Sequence, residues 1–374
     1  MELVFYITGH GYGHATRCLE VIKCILQHDR NSTVHVRSNA SKWLFDKYPQ
    51  NCFYHYARTL DVGLIQKNSF KVNKKETLKV MLLLYAERKT LIKQELDFLK
   101  KNKIDAIVAD IPPLAFDVAQ KAGIPSFGMT NFSWDWIYSA FTDDLPEYWR
   151  LIENIQQSYS KASNLLRLPF HGDLSAFPRR MDVPLVVRKP INSKKDTLEK
   201  LRFSLNDHRP IVLVGLREPD LLSVNLKQIG QMTNYRFITF NLLNPPPNAL
   251  NLQSRNYYFP DLLNACDLVI SKPGYGIVSE VISIKTPMLY IPRSDFIEYD
   301  ILVAALQKFH VAEELPTSNF LTGEWQPFID SVLSKEMHNS LIRDDGADVV
   351  ARTILDSNIT LTENQVKPCK SDLL

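Results

Sequence analysis

The sequence predicts an α/β fold: two domains, each built on a parallel sheet, facing each other across a cleft. Three observations carry this. The chain has 374 residues, more than one ordinary hydrophobic core fills. Two series of short apolar runs alternate with helical periodicity, which implies parallel strands joined by right-handed helical crossovers. Between the series lies FHGDLSAFPRRMDVPLVVRKPINSKKD (170–196), rich in proline and charge, which reads as the junction. The expected division is residues 1–185, residues 186–345, and a C-terminal helix with a tail over 346–374.

In the first series LVFYIT (3–8) is a buried strand that stops at Gly9. ATRCLEVIKCILQH (15–28) follows, with Cys18, Ile22, Ile25 and Leu26 on one helical face. VHVRS (34–38) is a strand, and residues 77–101 predict one long lysine-rich helix. IDAIVAD (104–110) is a strand, LAFDVAQKAG (114–123) a helix closed by glycine, and IPSFGMT (124–130) a further strand. The second series has strands RPIVLVG (209–215), RFITF (236–240), DLVISK (267–272) and PMLYIP (287–292). The last helix is expected to end near Leu355, leaving NITLTENQVKPCKSDLL as a loose tail.

Composition excludes several classes. Hydrophobic residues make up 45% and charged residues 23%, an ordinary globular balance. A net charge of +3 is too small to argue for nucleic acid. Cys18, Cys24, Cys52, Cys266 and Cys369 form no CxxC pair and have no histidine cluster beside them, which argues against zinc. Scattered thiols in odd number fit a reducing cytoplasm, the expected location. MELVFYITG lacks the basic start and apolar stretch of a signal peptide. VMLLLYA is too short to span a bilayer.

Two glycine loops carry the chemistry. ISKPGYGIVSEV (270–281) follows a strand and is expected to open a helix at about Ile277. A helix start offers unpaired N–H groups and partial positive charge to phosphate. Gly274 and Gly276 would let a pyrophosphate approach the backbone, Lys272 would add a full charge, and Glu280 could accept both hydroxyls of a ribose. The plain alternative is a strand–helix turn with a solvated glutamate. The other loop, ITGHGYGHATR (7–17), holds His10 and His14 among Gly9, Gly11 and Gly13, with Arg17 at its end. The plain alternative for either imidazole is a satisfied turn histidine. Asp110 closes the strand expected beside the first, ahead of Pro112 and Pro113; its plain role is a helix cap. In TNFSWDWIYSAF (130–141), Asn131, Ser133, Trp134, Asp135 and Trp136 face the cleft or cap a helix. Two tryptophans at i and i+2 cannot share a helical face, so one belongs to the core.

The stretch 270–281 resembles the donor-binding motif of GT-B glycosyltransferases, whose two Rossmann-like domains bind a nucleotide sugar between them. The eight-residue spacing from Lys272 to Glu280 fits that motif. The resemblance implies that Lys272, Gly274, Tyr275, Gly276, Ser279 and Glu280 bind the donor. It places Glu298, in PRSDFIEYDILVAAL, at the donor sugar's hydroxyls, and Tyr258, in YYFPDLLNACD, beneath the base. It makes His14 the general base, which deprotonates the acceptor hydroxyl because imidazole titrates near working pH. Asp110 would orient it. His10, Gly11, Gly13, Arg17, Asn131, Trp134 and Asp135 fall on the acceptor side. TGHGYGHATR, TNFSWDWIY, DVPLVVR, KPGYGIVSE and LTGEW, in that order, resemble the amino-terminal half of L-arabinokinase-type proteins and stand-alone bacterial relatives. The chain stops at Leu374 without a kinase half, so sugar 1-kinase activity is not implied. At LVGLREPD, Arg217 and Glu218 stand where relatives have a small glycine-rich loop, and are expected to narrow or re-aim the cleft.

The expected activity is metal-independent, inverting transfer of a hexosyl or pentosyl group to an acceptor hydroxyl. No DxD triad supplies metal ligands, and no cofactor is expected beyond the nucleotide-diphosphate sugar, a UDP-linked one. A nucleotide-sugar 2-epimerase and a non-catalytic nucleotide-sugar sensor are the alternatives. The lysines of 71–103 read as a solvated face; the sharper reading is peripheral docking on an anionic membrane or nucleic acid.

Overall fold

A computed structural model of the chain describes residues 1–46, 48, 51–68, 71–309, 311–336 and 341–363. Two wholly parallel sheets form the frame. The first has seven strands, in the order Phe53–Tyr56, Thr33–Ser38, Glu2–Ile7, Ala106–Asp110, Ser126–Thr130, Asn164–Arg167 and Arg180–Asp182. The second has six, in the order Ala249–Leu252, Arg236–Phe240, Ile211–Val214, Leu268–Ser271, Met288–Tyr290 and Ala312–Glu314. The central strands are buried throughout, and for that reason they read as unbroken apolar runs. Strand order reverses between Glu2–Ile7 and Ala106–Asp110 in one sheet, and between Ile211–Val214 and Leu268–Ser271 in the other. A crevice opens at the carboxyl ends of strands at such a reversal. Both glycine loops leave from these points.

Several sequence expectations change. The lysine-rich segment is two helices, Lys74–Ala86 and Arg88–Asn102, because Glu87 (φ −89°, ψ 4°) leaves helical geometry. Leu78, Met81 and Tyr85 form the buried stripe of the first, and Leu82, about 100° past Met81 on the wheel, is exposed. The helix of the second glycine loop is Tyr275–Ile284; it starts two residues early because Gly274 is extended (φ −125°, ψ 155°) and caps it. The terminal helix is Gly346–Glu363, running past Leu355, since no glycine or proline interrupts it. It docks on the opening helix, Gly13–His28, through Val350, Ala351 and Ile354 and an Asp348–His28 contact of 2.5 Å. The expected loose tail lies outside the described residues from 364 onward. Among the described residues no helix is long and apolar enough to cross a membrane.

Candidate active site

The opening helix starts at Gly13, which puts His14 in its first turn and Arg17 one turn further on the same face. In the neighbouring strand Asp110 pairs in register with Ile7. These placements bring His14, Arg17 and Asp110 together. His14 Nδ1 lies 2.8 Å from Asp110 Oδ1. Arg17 donates from Nε to Asp110 Oδ2 and from Nη2 to Oδ1, both at 2.6 Å, a bidentate clamp. Its Nη1 donates to Asn131 Oδ1 at 2.8 Å. All four side chains are buried. Burial alone would raise Asp110, but Arg17 and His14 hold it well below the usual carboxylate range. His14 Nδ1 faces both the ionised Asp110 and, at 3.0 Å, Arg17 Nη2, and among the described residues no hydrogen bond reaches Nε2. Asp110 caps no helix: Pro113 occupies the cap of Leu114–Ala122 without a side-chain bond.

His14 opens on a small cavity of about 60 Å³ whose wall includes His10, Phe132, Trp134, Arg293 and Glu298. His10 Nδ1 accepts from the Leu64 N–H at 3.2 Å, and its ring meets Trp134 edge-on at 5.8 Å. Burial, then the neighbouring His14, pulls His10 down to about 3, so it is neutral. Gly63 (φ +70°) allows this approach, since a Cβ there would lie 2.7 Å from that of His10. Trp134 is fully buried and donates from Nε1 to Asp61 Oδ2 at 2.7 Å; Thr8 Oγ1 donates to Asp61 Oδ1 at 3.0 Å. Burial pushes Asp61 up to about 6. Asn131 reaches across the cleft to Glu298 Oε2 at 3.5 Å. Asp135 does not join this group. It lies about 100° from Trp134 on the wheel, does not line this cavity, and has Ser133 and Gln156 as its neighbours.

The second glycine loop faces the first. A Cβ at Gly276 would stand 3.7 Å from Gly13 Cα, so the two helix starts meet across the cleft. Beside them lies a cavity of about 680 Å³, lined by Gly13, Arg217, Glu218, Tyr258, Gly276 and Glu280 among others. Helix phase sorts the expected donor residues. Gly276 and Glu280, four apart, face the cavity. Tyr275 and Ser279, also four apart, are buried on the adjoining face, with the Arg17 guanidinium 5.0 Å from the Tyr275 ring centroid. They do not line the cavity, contrary to the sequence expectation.

Glu280 accepts from Arg188 Nε at 2.6 Å, and burial raises its carboxyl. The Arg188 guanidinium stands 5.9 Å from the Tyr258 ring centroid. Lys272 donates to Asp220 Oδ2 at 2.8 Å, on a segment capped by Arg217 N–H to the same carboxylate oxygen. Lys272 lines neither cavity. Residue-by-residue reading missed Asp61, Arg188 and Arg293. DVPLVVR contains Arg188, so a signal was present without a role; LDVG (60–63) carries Asp61 beside the glycine that His10 needs. Among the described residues no group of three or more His, Cys, Asp or Glu could hold a metal ion.

Two parallel α/β domains with facing helix starts make up the GT-B fold. Residues 1–137 match the family described as glycosyl transferase family 1. The chain is similar to L-arabinokinase of Arabidopsis thaliana, 31% identical over 342 residues, which is 89% of this chain and 32% of that protein. It therefore spans about a third of that relative's length. Among solved structures it resembles a UDP-glucosyltransferase from Polygonum tinctorium (TM-score 0.60, 12% identity, 98% of this chain and 95% of that one). It also resembles UGT89C1 of Arabidopsis thaliana complexed with UDP (TM-score 0.60, 13% identity, 96% and 99%). These structural likenesses establish the fold.

Proposed function

We propose that the chain transfers a sugar from a nucleoside-diphosphate sugar to an acceptor hydroxyl with inversion at the anomeric carbon. The observation that carries this reading is the buried His14–Asp110 pair, which leaves Nε2 free at a cavity where two helix starts meet. In the reaction His14 Nε2 takes the acceptor's proton while the acceptor oxygen attacks the anomeric carbon. The bond from that carbon to the diphosphate breaks on the opposite face, and its electron pair leaves with the phosphate oxygen. Inversion follows from this in-line geometry. The first turn after Gly274, with Gly276, cradles the diphosphate without a metal. Lys272, held by Asp220, secures the loop beneath it. Glu280 receives the ribose, Tyr258 supports the base and Glu298 meets the sugar's hydroxyls. UDP is the preferred nucleotide, supported by the structural neighbour complexed with UDP and by one complexed with UDP-L-rhamnose.

Calorimetric titration with nucleoside diphosphates tests the donor site. Charge-assisted bonds from two ribose hydroxyls to Glu280 are worth about 1.5–3 kcal/mol. Glu280→Ala should weaken the bound diphosphate about tenfold or more. Its melting temperature should fall as well, because Arg188 loses its partner. Unchanged affinity would remove the donor-site assignment.

A further inference from the structure

We propose that Arg293 binds the β-phosphate of the donor and takes up the charge of the leaving diphosphate. This rests on the donor reading above and names the cation that serves it.

Arg293 follows the strand Met288–Tyr290 and lines the small cavity together with His14, His10 and Glu298. It also lines an outer recess of about 300 Å³. Its guanidinium carbon lies 3.2 Å from the centroid of the Phe296 ring, so one face of the guanidinium is stacked. Stacking uses the face and leaves the N–H groups, which bond in the plane. Arg293 Nε is buried with no hydrogen-bond partner, and among the described residues no carboxylate lies within ion-pair distance of the side chain. Glu298 and Asp220 act on it only at longer range, and Arg217 opposes them. Burial pulls it down to about 10, so it is still a cation at neutral pH. A desolvated planar cation with free in-plane donors fits a phosphate's paired oxygens.

The reaction geometry puts the phosphate at this place. An acceptor oxygen bonded to His14 Nε2 sits about 3 Å away, and attack begins at about 3–3.5 Å from the anomeric carbon. The leaving oxygen is one bond further, on the side of the cavity away from His14. Arg293, contributed by the second domain, lines the same small cavity as His14. Lys272, the cation expected from the sequence, is engaged with Asp220 at 2.8 Å.

The test is calorimetry with UDP, GDP, ADP and dTDP and their monophosphates, on the unmodified protein, Arg293→Gln and Arg293→Lys, with melting curves as a folding control. The unmodified protein should bind one diphosphate at least about tenfold more tightly than its monophosphate. Arg293→Gln should abolish most of that preference by weakening the diphosphate alone. Arg293→Lys keeps the charge but not the fork and should fall between them, which preserves the test if the Gln variant does not fold. Donor turnover should fall further than affinity, since charge grows as the bond breaks. A diphosphate preference intact in Arg293→Gln overturns the proposal and leaves Arg293 to an anionic group on the acceptor. If the unmodified protein binds none of the four diphosphates, the donor reading itself has failed, and the inference with it.

Discussion

Replacing Asp110 by Asn tests how the site is held together. The change preserves shape but removes the counter-charge of Arg17 and turns one acceptor into a donor. Arg17 is 5% exposed and donates twice to Asp110 at 2.6 Å, so either amide orientation sets an N–H against an N–H. Removing one partner of a buried pair costs about 3–5 kcal/mol. That is a large share of the roughly 5–15 kcal/mol that keeps most proteins folded. The melting temperature should fall by roughly 5–15 °C. The imidazole also loses the carboxylate that faces its Nδ1, so turnover should drop even in the folded fraction. Scanning calorimetry and urea titration measure the first effect. The double variant Arg17→Met/Asp110→Asn supplies the control: with no charge left unpaired, it should recover part of the stability while turnover stays low. A single variant melting within about 1 °C of the unmodified protein would refute the argument. So would a double variant whose losses simply add.

Gly63→Ala should destabilise by about 1–2 kcal/mol through its left-handed backbone, and by more because the new methyl meets His10 at 2.7 Å; unchanged urea midpoints would contradict this. His10 gives a pH prediction. Its folded value is about 3, against an ordinary 6.5, so the unfolded chain binds the extra proton between these limits. The stability this group confers is present above pH 6.5 and is lost as pH falls toward 3. From pH 7.5 to 5 the loss from this group is at most about 2 kcal/mol, and His10→Asn should be spared it. Asp61, raised to about 6, shifts stability the opposite way but does so in both proteins, so the difference isolates His10. Equal losses in urea titrations at the two pH values would rule the argument out.

The central strands were legible because burial on both faces writes a parallel strand as a continuous apolar run. RFITF is the observed strand Arg236–Phe240 residue for residue. The approach of His14 to Asp110 was legible too, since Asp110 ends one strand and the loop leading to His14 leaves the carboxyl end of its neighbour. Side-chain pairing across long separations was not. Nothing near Arg188 announces Glu280, 92 residues away, and nothing near Asp61 announces Trp134, 73 residues away. Arg17 was closer to legible, being one turn from His14, but its clamp on Asp110 requires the sheet register. Tyr275 and Ser279 show that a motif does not say which of its residues face the ligand: about 100° per residue of helix phase decides between the cavity and the neighbouring face. The break at Glu87 has no glycine or proline to mark it.

The most direct measurement compares His14→Ala with the unmodified protein in nucleotide binding and in single-turnover transfer, or in slow donor hydrolysis where no acceptor is supplied. A general base acts in the transition state and contributes about 10²–10⁴-fold. The variant should therefore bind the nucleoside diphosphate within about twofold of the original, while its rate falls by that factor. The contrary result has two parts: tight binding of a nucleotide sugar with no turnover in the unmodified protein across acceptors from a cell extract, and weakened binding in His14→Ala. That outcome would make the loop a ligand clamp and the protein a sensor.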